Sequence, residues 1–301
     1  MTINRRLAGG AVVGVTGLAA FGIIAVVVLI MASIIAGGWE TLTWDFLTSV
    51  PKEGMTEGGI FPAIVGTMLL VIIMSIAGVP VGTITAVYLS EYASQTSLLA
   101  RGIRFAVNTL AGVPAIVFGL FGLGFFVQVV GAGMDDLFST GGELRWGQPN
   151  ILWASMTMAL LTLPVVIVSV EEAIKAVPAE LRAASLALGA TKWQTIWKIV
   201  LPNSLTGILT GGILAVSRGA GEVAPILFTG AAYFLPHLPE SLSDQFMELG
   251  YHVYIMATQS TNVDATLGIQ YATTLVLLLL TFLLNFSAIF LRSRVRARQV
   301  S

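Results

Sequence analysis

The sequence predicts an all-α integral membrane protein with six transmembrane helices, and three observations carry that prediction. Of its 301 residues, 56% are hydrophobic and only 10% charged, whereas soluble domains average roughly a quarter charged. The uncharged stretches repeatedly exceed the ~20 residues that a helix needs to cross bilayer hydrocarbon. The basic residues, moreover, gather in alternate connecting segments.

The spans follow in order from the gaps between charges. The first is expected near 10–36. Arg5 and Arg6 precede it as they would a secretory signal, but the apolar run is about twice signal length and no small-x-small cleavage site follows. It therefore reads as a retained anchor. An acidic, glycine-rich segment, 40–61, leads to a second span near 62–89. In the third, near 105–131, Asn108 and Thr109 precede Pro114, whose ring frees a backbone carbonyl and permits a kink. Broken helices of this kind line cavities. A short segment with glycine turns, 132–148, precedes the fourth span near 149–170. The fifth, near 203–232, is interrupted by Arg218 and Glu222. The segment 233–265 holds His237 and His252, and its stretch 242–256 is expected to form a surface helix. The sixth span, near 267–291, ends at a basic tail. These divide the chain into an N-terminal helix with its outer loop (1–61), a core (62–291) and the tail (292–301).

Charge sets the expected orientation. With both termini in the cytoplasm, all but Lys52, Arg145 and Arg218 of the 15 Lys and Arg residues fall in cytoplasmic segments, as the positive-inside rule requires. The tail, rich in arginine, would anchor this topology and touch anionic lipid headgroups.

Several classes of function are excluded. A net charge of -1 leaves no basic field for nucleic acid. There are 0 cysteines and 2 histidines, too few for a thiolate or most metal centres. No GxxxxGK[ST] phosphate loop, nucleophile elbow or zinc-protease motif occurs, so the chain itself neither hydrolyses ATP nor carries out covalent catalysis.

The longest polar interruption expected on the cytoplasmic side, 171–202, is organised. Pro178 ends one helix; a short helix follows, with Leu181, Ser185 and Leu188 on one face, and Gly189 closes it. A second run places Trp193, Ile196, Trp197 and Val200 at helical spacing before Pro202. Such a helix-turn-helix either offers an apolar knob to a cytoplasmic partner or lies flat on lipid headgroups.

The residue pattern favours the knob, because it resembles the cytoplasmic signature of ABC importer transmembrane subunits: Glu-Ala-Ala, three residues, Gly, nine residues, Ile, one residue, Leu-Pro. Ala184, Gly189, Ile199, Leu201 and Pro202 fall on that spacing, whereas Ala183 stands at the glutamate and Ser185 at the second alanine. Glu180 is a nearby substitute carboxylate. The strings AGVPAIVFGLFGL at 111–123, GEVAPILFTGAA at 221–232 and LALGATKWQTIWKIVLP at 186–202 further resemble the PstA family. That family comprises the A-type permeases of bacterial phosphate-specific ABC importers. Val223 and Ile226 depart from its usual second string.

The resemblance implies the type I ABC importer permease fold and a subunit moving inorganic phosphate across the bacterial cytoplasmic membrane. It implies a second homologous permease, two copies of an ATPase that hold ATP and Mg, and an extracytoplasmic phosphate-binding protein. No cofactor is expected in this chain. The segment 181–191 becomes the ATPase-docking coupling helix, with Leu181, Arg182, Ala183, Ala184, Ser185, Leu188, Gly189, Ala190 and Thr191 as its contacts. Another oxyanion, sulfate or molybdate, is an alternative substrate. An ion-coupled secondary transporter using Glu222 is the alternative of another class.

Arg218 and Glu222 are the charged residues expected inside a span. Four residues apart on one helix they would pair, and Arg218 would lie roughly 20 Å along the fifth span. An intramembrane arginine costs about 2.5–3.5 kcal/mol on insertion scales and by default faces a pathway or a partner. Its planar guanidinium suits an oxyanion, and Glu222 would hold it and weaken its grip. The alternative is an intrahelical pair that locks the bundle without meeting substrate. Asn108 and Thr229 complete the expected pathway, the latter forming a hinge with Pro225. Gly119, Gly122, Gly124, Gly207, Gly211 and Gly212 are expected to let helices approach closely.

Overall fold

The computed structural model describes residues 2–94, 96–138, 144–260 and 263–300. The expected turns of 132–148 lie partly outside the described residues, as do the side chains of Arg5, Arg6, Arg296 and Arg298. Among the described residues, six helical stretches are long and apolar enough to cross a membrane: Val12–Gly38, Phe61–Tyr92, Ala115–Phe138, Ile151–Lys175, Lys192–Gly219 and Val263–Val295.

The elements are α1 (Thr2–Gly38), α2 (Trp44–Thr48), a small hairpin of β1 (Pro51–Lys52) and β2 (Glu57–Gly58), α3 (Phe61–Val87) continued by a wide turn to Tyr92, and α4 (Leu98–Ala111). Then come α5 (Ala115–Phe121), running on through wide turns into α6 (Ala132–Phe138), and α7 (Ile151–Lys175). At one end of the bundle sit α8 (Ala179–Ala187) and α9 (Lys192–Thr195). The chain returns through α10 (Leu201–Gly219), crosses the opposite end irregularly, and finishes with α11 (Leu249–Gln259) and α12 (Val263–Val300). The end carrying α8, with Arg101, Arg104, Lys175 and Arg182, is the basic end; the other, with Asp45, Glu53, Glu57 and Asp244, is the acidic end.

Helix α7 is the central post. Two thirds of its apolar window is buried, because it packs on α3 along one side and on α10 along another. Leu70, Val71 and Met74 of α3 meet Ala154, Met158 and Leu161 of α7 in one cluster. Nearer the basic end, Ala86, Val166, Val170, Ile174 and Val200 form another. A third, at the acidic end, joins Phe46, Ile60, Met247, Leu249 and Ile255. Helix α1 is exposed along its apolar window and packs on α12, with Gly37 and Gly38 against Tyr271 and Ala272.

Three sequence expectations are corrected. The third span does not start at 105: α4 ends at Ala111, and the chain breaks over Gly112 to Pro114 before α5 begins. Pro114 cannot supply an amide to a continuing helix, so the expected kink is a complete break. The fifth span ends at Gly219 instead of 232, since Gly219, Gly221 and Pro225 disfavour helix. The apolar stretch beyond is buried irregular backbone whose polar groups are met inside the protein. Its carbonyls of Thr229, Asp244 and Leu242 accept from the amides of Asn150, Ile151 and Leu152 at 2.9, 2.9 and 3.2 Å, satisfying donors that the start of α7 leaves unpaired. The expected surface helix at 242–256 starts instead at Leu249, and it buries Leu249, Gly250, His252, Ile255 and Met256. His252 is thus a core residue and not a loop histidine, whereas His237 lies in an exposed loop.

Candidate functional site

Two sites emerge, a knob at the basic end and a groove within the bundle. The knob follows the expected helix-turn-helix. Helix α8 buries none of its residues, and Gly189 closes it with φ of +85°, a left-handed geometry that glycine adopts without strain. Thr191 and Gln194 then form a reciprocal cap on α9. Ser185 and Thr195 bond hydroxyl to hydroxyl at 2.9 Å, tying the two helices together.

The outward face of the knob is apolar: Leu188 is 89% exposed, Leu186 50% and Leu181 42%. Leu186 escaped the sequence reading because it lies off the row that 181, 185 and 188 make. Ala183, Ala184 and Thr191 are also exposed and Ala190 is half-buried. Arg182 is a correction, because its guanidinium turns back onto the bundle instead of outward. The second amphipathic run splits: Ile196 and Val200 are buried, while Trp193 and Trp197 stack at 5.8 Å and remain exposed beside Tyr92.

The groove, of about 520 Å³, runs between α4, α7 and α10. Asn108, Ser169, Glu172 and Thr210 supply its polar atoms, and Val107, Pro164, Val168 and Leu214 much of its apolar wall. Asn108, expected on the pathway, is one of the groove's lining residues. Ser169, Glu172 and Thr210 were missed, and the signal was faint, since membrane-helix hydroxyls usually bond their own helix, as Thr210 does with Thr206 O at 2.8 Å. Thr210 also accepts from Arg292 Nη1 at 3.1 Å.

Thr210, Leu214 and Arg218 succeed one another at four-residue steps on α10, so one row climbs from the groove to an exposed guanidinium in the helix's last turn. The rise is about 12 Å. Glu222 does not pair with Arg218. The helix has ended at Gly219, which removes the shared face, and among the described residues the ion pairs involve Arg104, Lys175 and Arg182. Thr229 is likewise misplaced as a pathway residue: it is wholly buried, and its hydroxyl donates to Pro225 O at 3.0 Å. The neighbouring Ser217 does reach across, donating to Asn285 of α12. Ser217–Asn285 and Thr210–Arg292 are spaced seven residues apart on both helices, so they clasp α10 to an antiparallel α12 at two levels.

Close helix approach is met at Gly207, which abuts Ala173, and at Gly119, where an added Cβ would lie 2.9 Å from Pro225 O. Gly124 faces open space, so the packing role expected of it is not observed.

Residues 78–297 match the family described as binding-protein-dependent transport system inner membrane component. The chain belongs to this family. It is the membrane-spanning transport component of an ABC transporter, not an enzyme. The matched stretch contains the knob, the groove and Arg218. A probable ABC transporter permease protein, YqgI, of Bacillus subtilis is 30% identical over 275 residues, covering 87% of this chain and 88% of that one. The phosphate transport system permease protein PstA of Yersinia pestis is 36% identical over 218 residues, 72% of this chain and 64% of the other. Among solved structures, a bacterial ABC transporter involved in import of the acidic polysaccharide alginate aligns with a TM-score of 0.64 at 15% identity, covering 93% of this chain and 95% of that chain. The fold is that of type I ABC importer permeases.

Proposed function

We propose that this permease moves inorganic phosphate, with Arg218 as the cation a passing anion meets and the Asn108–Ser169–Thr210 groove as the polar track beside it. The observation that carries the reading is the row on α10: an exposed guanidinium, with no ion-pair partner among the described residues, heads a groove whose polar lining is the neutral side chains of Asn108, Ser169 and Thr210 with the carboxylate of Glu172. A guanidinium suits an oxyanion. Neutral groups beyond it can solvate the anion without holding it tightly, and the exposed carboxylate of Glu172 at the groove repels it onward. The likeness to PstA supports phosphate as substrate.

In this reading the basic end faces the cytoplasm with both chain termini, since the positive-inside rule places arginine and lysine there. The exposed leucines of α8 dock on an ATPase, two copies of which hold ATP and Mg. A second homologous permease completes the pathway, and a phosphate-binding protein delivers from outside. ATP-driven movement of α8 switches access to the groove. The chain spans the bacterial cytoplasmic membrane, with 62–291 as the permease core.

The test is Arg218→Gln. Phosphate uptake is expected to be abolished while the complex still assembles and hydrolyses ATP. Normal uptake at ordinary expression overturns the role of Arg218, and competition by unlabelled sulfate or molybdate as effective as by phosphate overturns the substrate.

A further inference from the structure

Among the described residues, the most heavily bonded arginine lies under the knob. Arg182 Nε and Nη2 donate to Glu91 Oε1 at 3.1 and 3.0 Å. Nη2 also donates to Ile174 O at 2.7 Å, and Nη1 to Val177 O at 2.5 Å and Pro178 O at 3.5 Å. Glu91 belongs to the turn that ends α3, while the three carbonyls belong to the last turn of α7 and the bend after it. Carbonyls at a helix C-terminus lack intrahelical partners, so one guanidinium caps α7 and binds the end of α3 at once. The side chains of Arg182 and Glu91 are 22% and 12% exposed, which shields the pair from solvent screening.

A second arginine braces the same two helix ends. Arg104 of α4 bonds Glu171 at 2.5 Å and Leu89 O at 3.1 Å, and Lys175 meets the same Glu171 oxygen at 2.7 Å. Motion delivered to the end of α3 therefore reaches α4, which walls the groove. Helix α8, by contrast, has no buried residue of its own to hold it against the bundle. Among the described residues, the side-chain hydrogen bonds that tie it to the rest of the protein are the Ser185–Thr195 bond to α9 and the fan of bonds from Arg182.

We infer that Arg182 is the positioning residue that makes displacement of α8 move the ends of α3 and α7 together, so that ATPase motion is converted into movement of the groove walls. A planar fork bonded in several directions fixes orientation as well as distance, which a lysine at this site cannot do. Without it α8 can swivel on its connections, and work done on the knob is lost before it reaches the spans. The inference rests on the reading of α8 as the ATPase-docking element.

The experiment uses the whole transporter, reconstituted in vesicles with its ATPase, and reads phosphate moved per ATP hydrolysed. Arg182→Gln is expected to lower that ratio about tenfold or more, with ATP hydrolysis within about threefold of wild type. Glu91→Gln, which leaves the carbonyl bonds in place, and Arg182→Lys are expected to fall between. A ratio within about twofold of wild type for Arg182→Gln overturns the inference; should that variant not assemble, an unchanged ratio for Glu91→Gln overturns it instead. In parallel, Leu188→Cys is cross-linked to a cysteine on the ATPase. Absence of that cross-link removes the docking reading itself, whereas a cross-link with an unchanged ratio removes only the role of Arg182.

Discussion

Replacing Gly207 with valine tests how the central post controls the groove. Gly207 and Gly211 of α10 lie on Ala173 and Ser169 of α7, small residues four apart meeting small residues four apart across an antiparallel contact. A Cβ at 207 overlaps the methyl of Ala173, whereas one at 211 lies 3.3 Å from Ser169. Carbon atoms pack at about 3.5–4.0 Å, so even a methyl at 207 requires the helices to part by roughly 1.5 Å, and valine requires more. Overpacking of this kind costs about 1–3 kcal/mol, a fall of roughly 2–10 °C in the melting midpoint for a chain of this size. The functional effect is expected to be larger, because Ser169 and Thr210 stand on opposite sides of the parted contact and both line the groove. The assay is the thermal midpoint of the detergent-purified transporter beside phosphate uptake in vesicles. Gly124→Ala is the internal control, since nothing lies within 4 Å of a Cβ there. If Gly207→Val and Gly124→Ala both match wild type in midpoint and uptake, the close α7–α10 contact does not set the groove.

Further outcomes follow from buried polar groups at the acidic end. The Asp135 carboxylate accepts from the amides of Arg145, Trp146 and Gly147 at 3.0, 2.9 and 2.6 Å. Removing a charged acceptor from these amides in Asp135→Ala is expected to cost about 2–4 kcal/mol and to expose the chain near 144–148 to protease; a cleavage rate equal to wild type refutes this. Burial lowers the pKa of His252 from 6.5 to about 4, so the stability it contributes is full above pH 6.5 and lost as pH falls toward 4. Burial raises that of Glu248 to about 7, against the opposing effect of its bonds to the amides of Gly250 and Tyr251. Its contribution is therefore full below pH 4.5 and lost as pH rises through 7. Relative to wild type, His252→Leu should gain stability at acid pH and Glu248→Gln at alkaline pH, read as midpoint against pH. Parallel profiles for all three proteins would show that neither group titrates in its buried site.

The spans and the knob were legible in the sequence, for a physical reason. Hydrocarbon imposes a length and a polarity on anything that crosses it, so the gaps between charges locate the crossing segments without knowledge of their neighbours. Pro178 and Gly189 act on their own backbone and bound α8 as read, whereas the helix begun at Lys192 runs on through Pro202 as the fifth span. What local pattern could not resolve was whether an apolar run is helix or buried irregular chain. The stretch after Gly219 satisfies hydropathy equally well either way; the unpaired amides at the start of α7 decide it, and they come from 70 or more residues earlier. The same limit explains Arg218 and Glu222. A spacing of four promises a pair only where the helix continues, and here it stops between them. Arg182 shows the reverse, since composition marks it as one more surface arginine beside the docking leucines. Only the convergence of the ends of α3 and α7 turns it inward and gives it Glu91 and three carbonyls to hold. Sequence alone thus determined that the chain crosses the membrane and how many times, whereas where the third span begins and the fifth ends came from the structure. The tertiary structure decided which polar groups face one another, because that depends on helices brought together from distant parts of the chain.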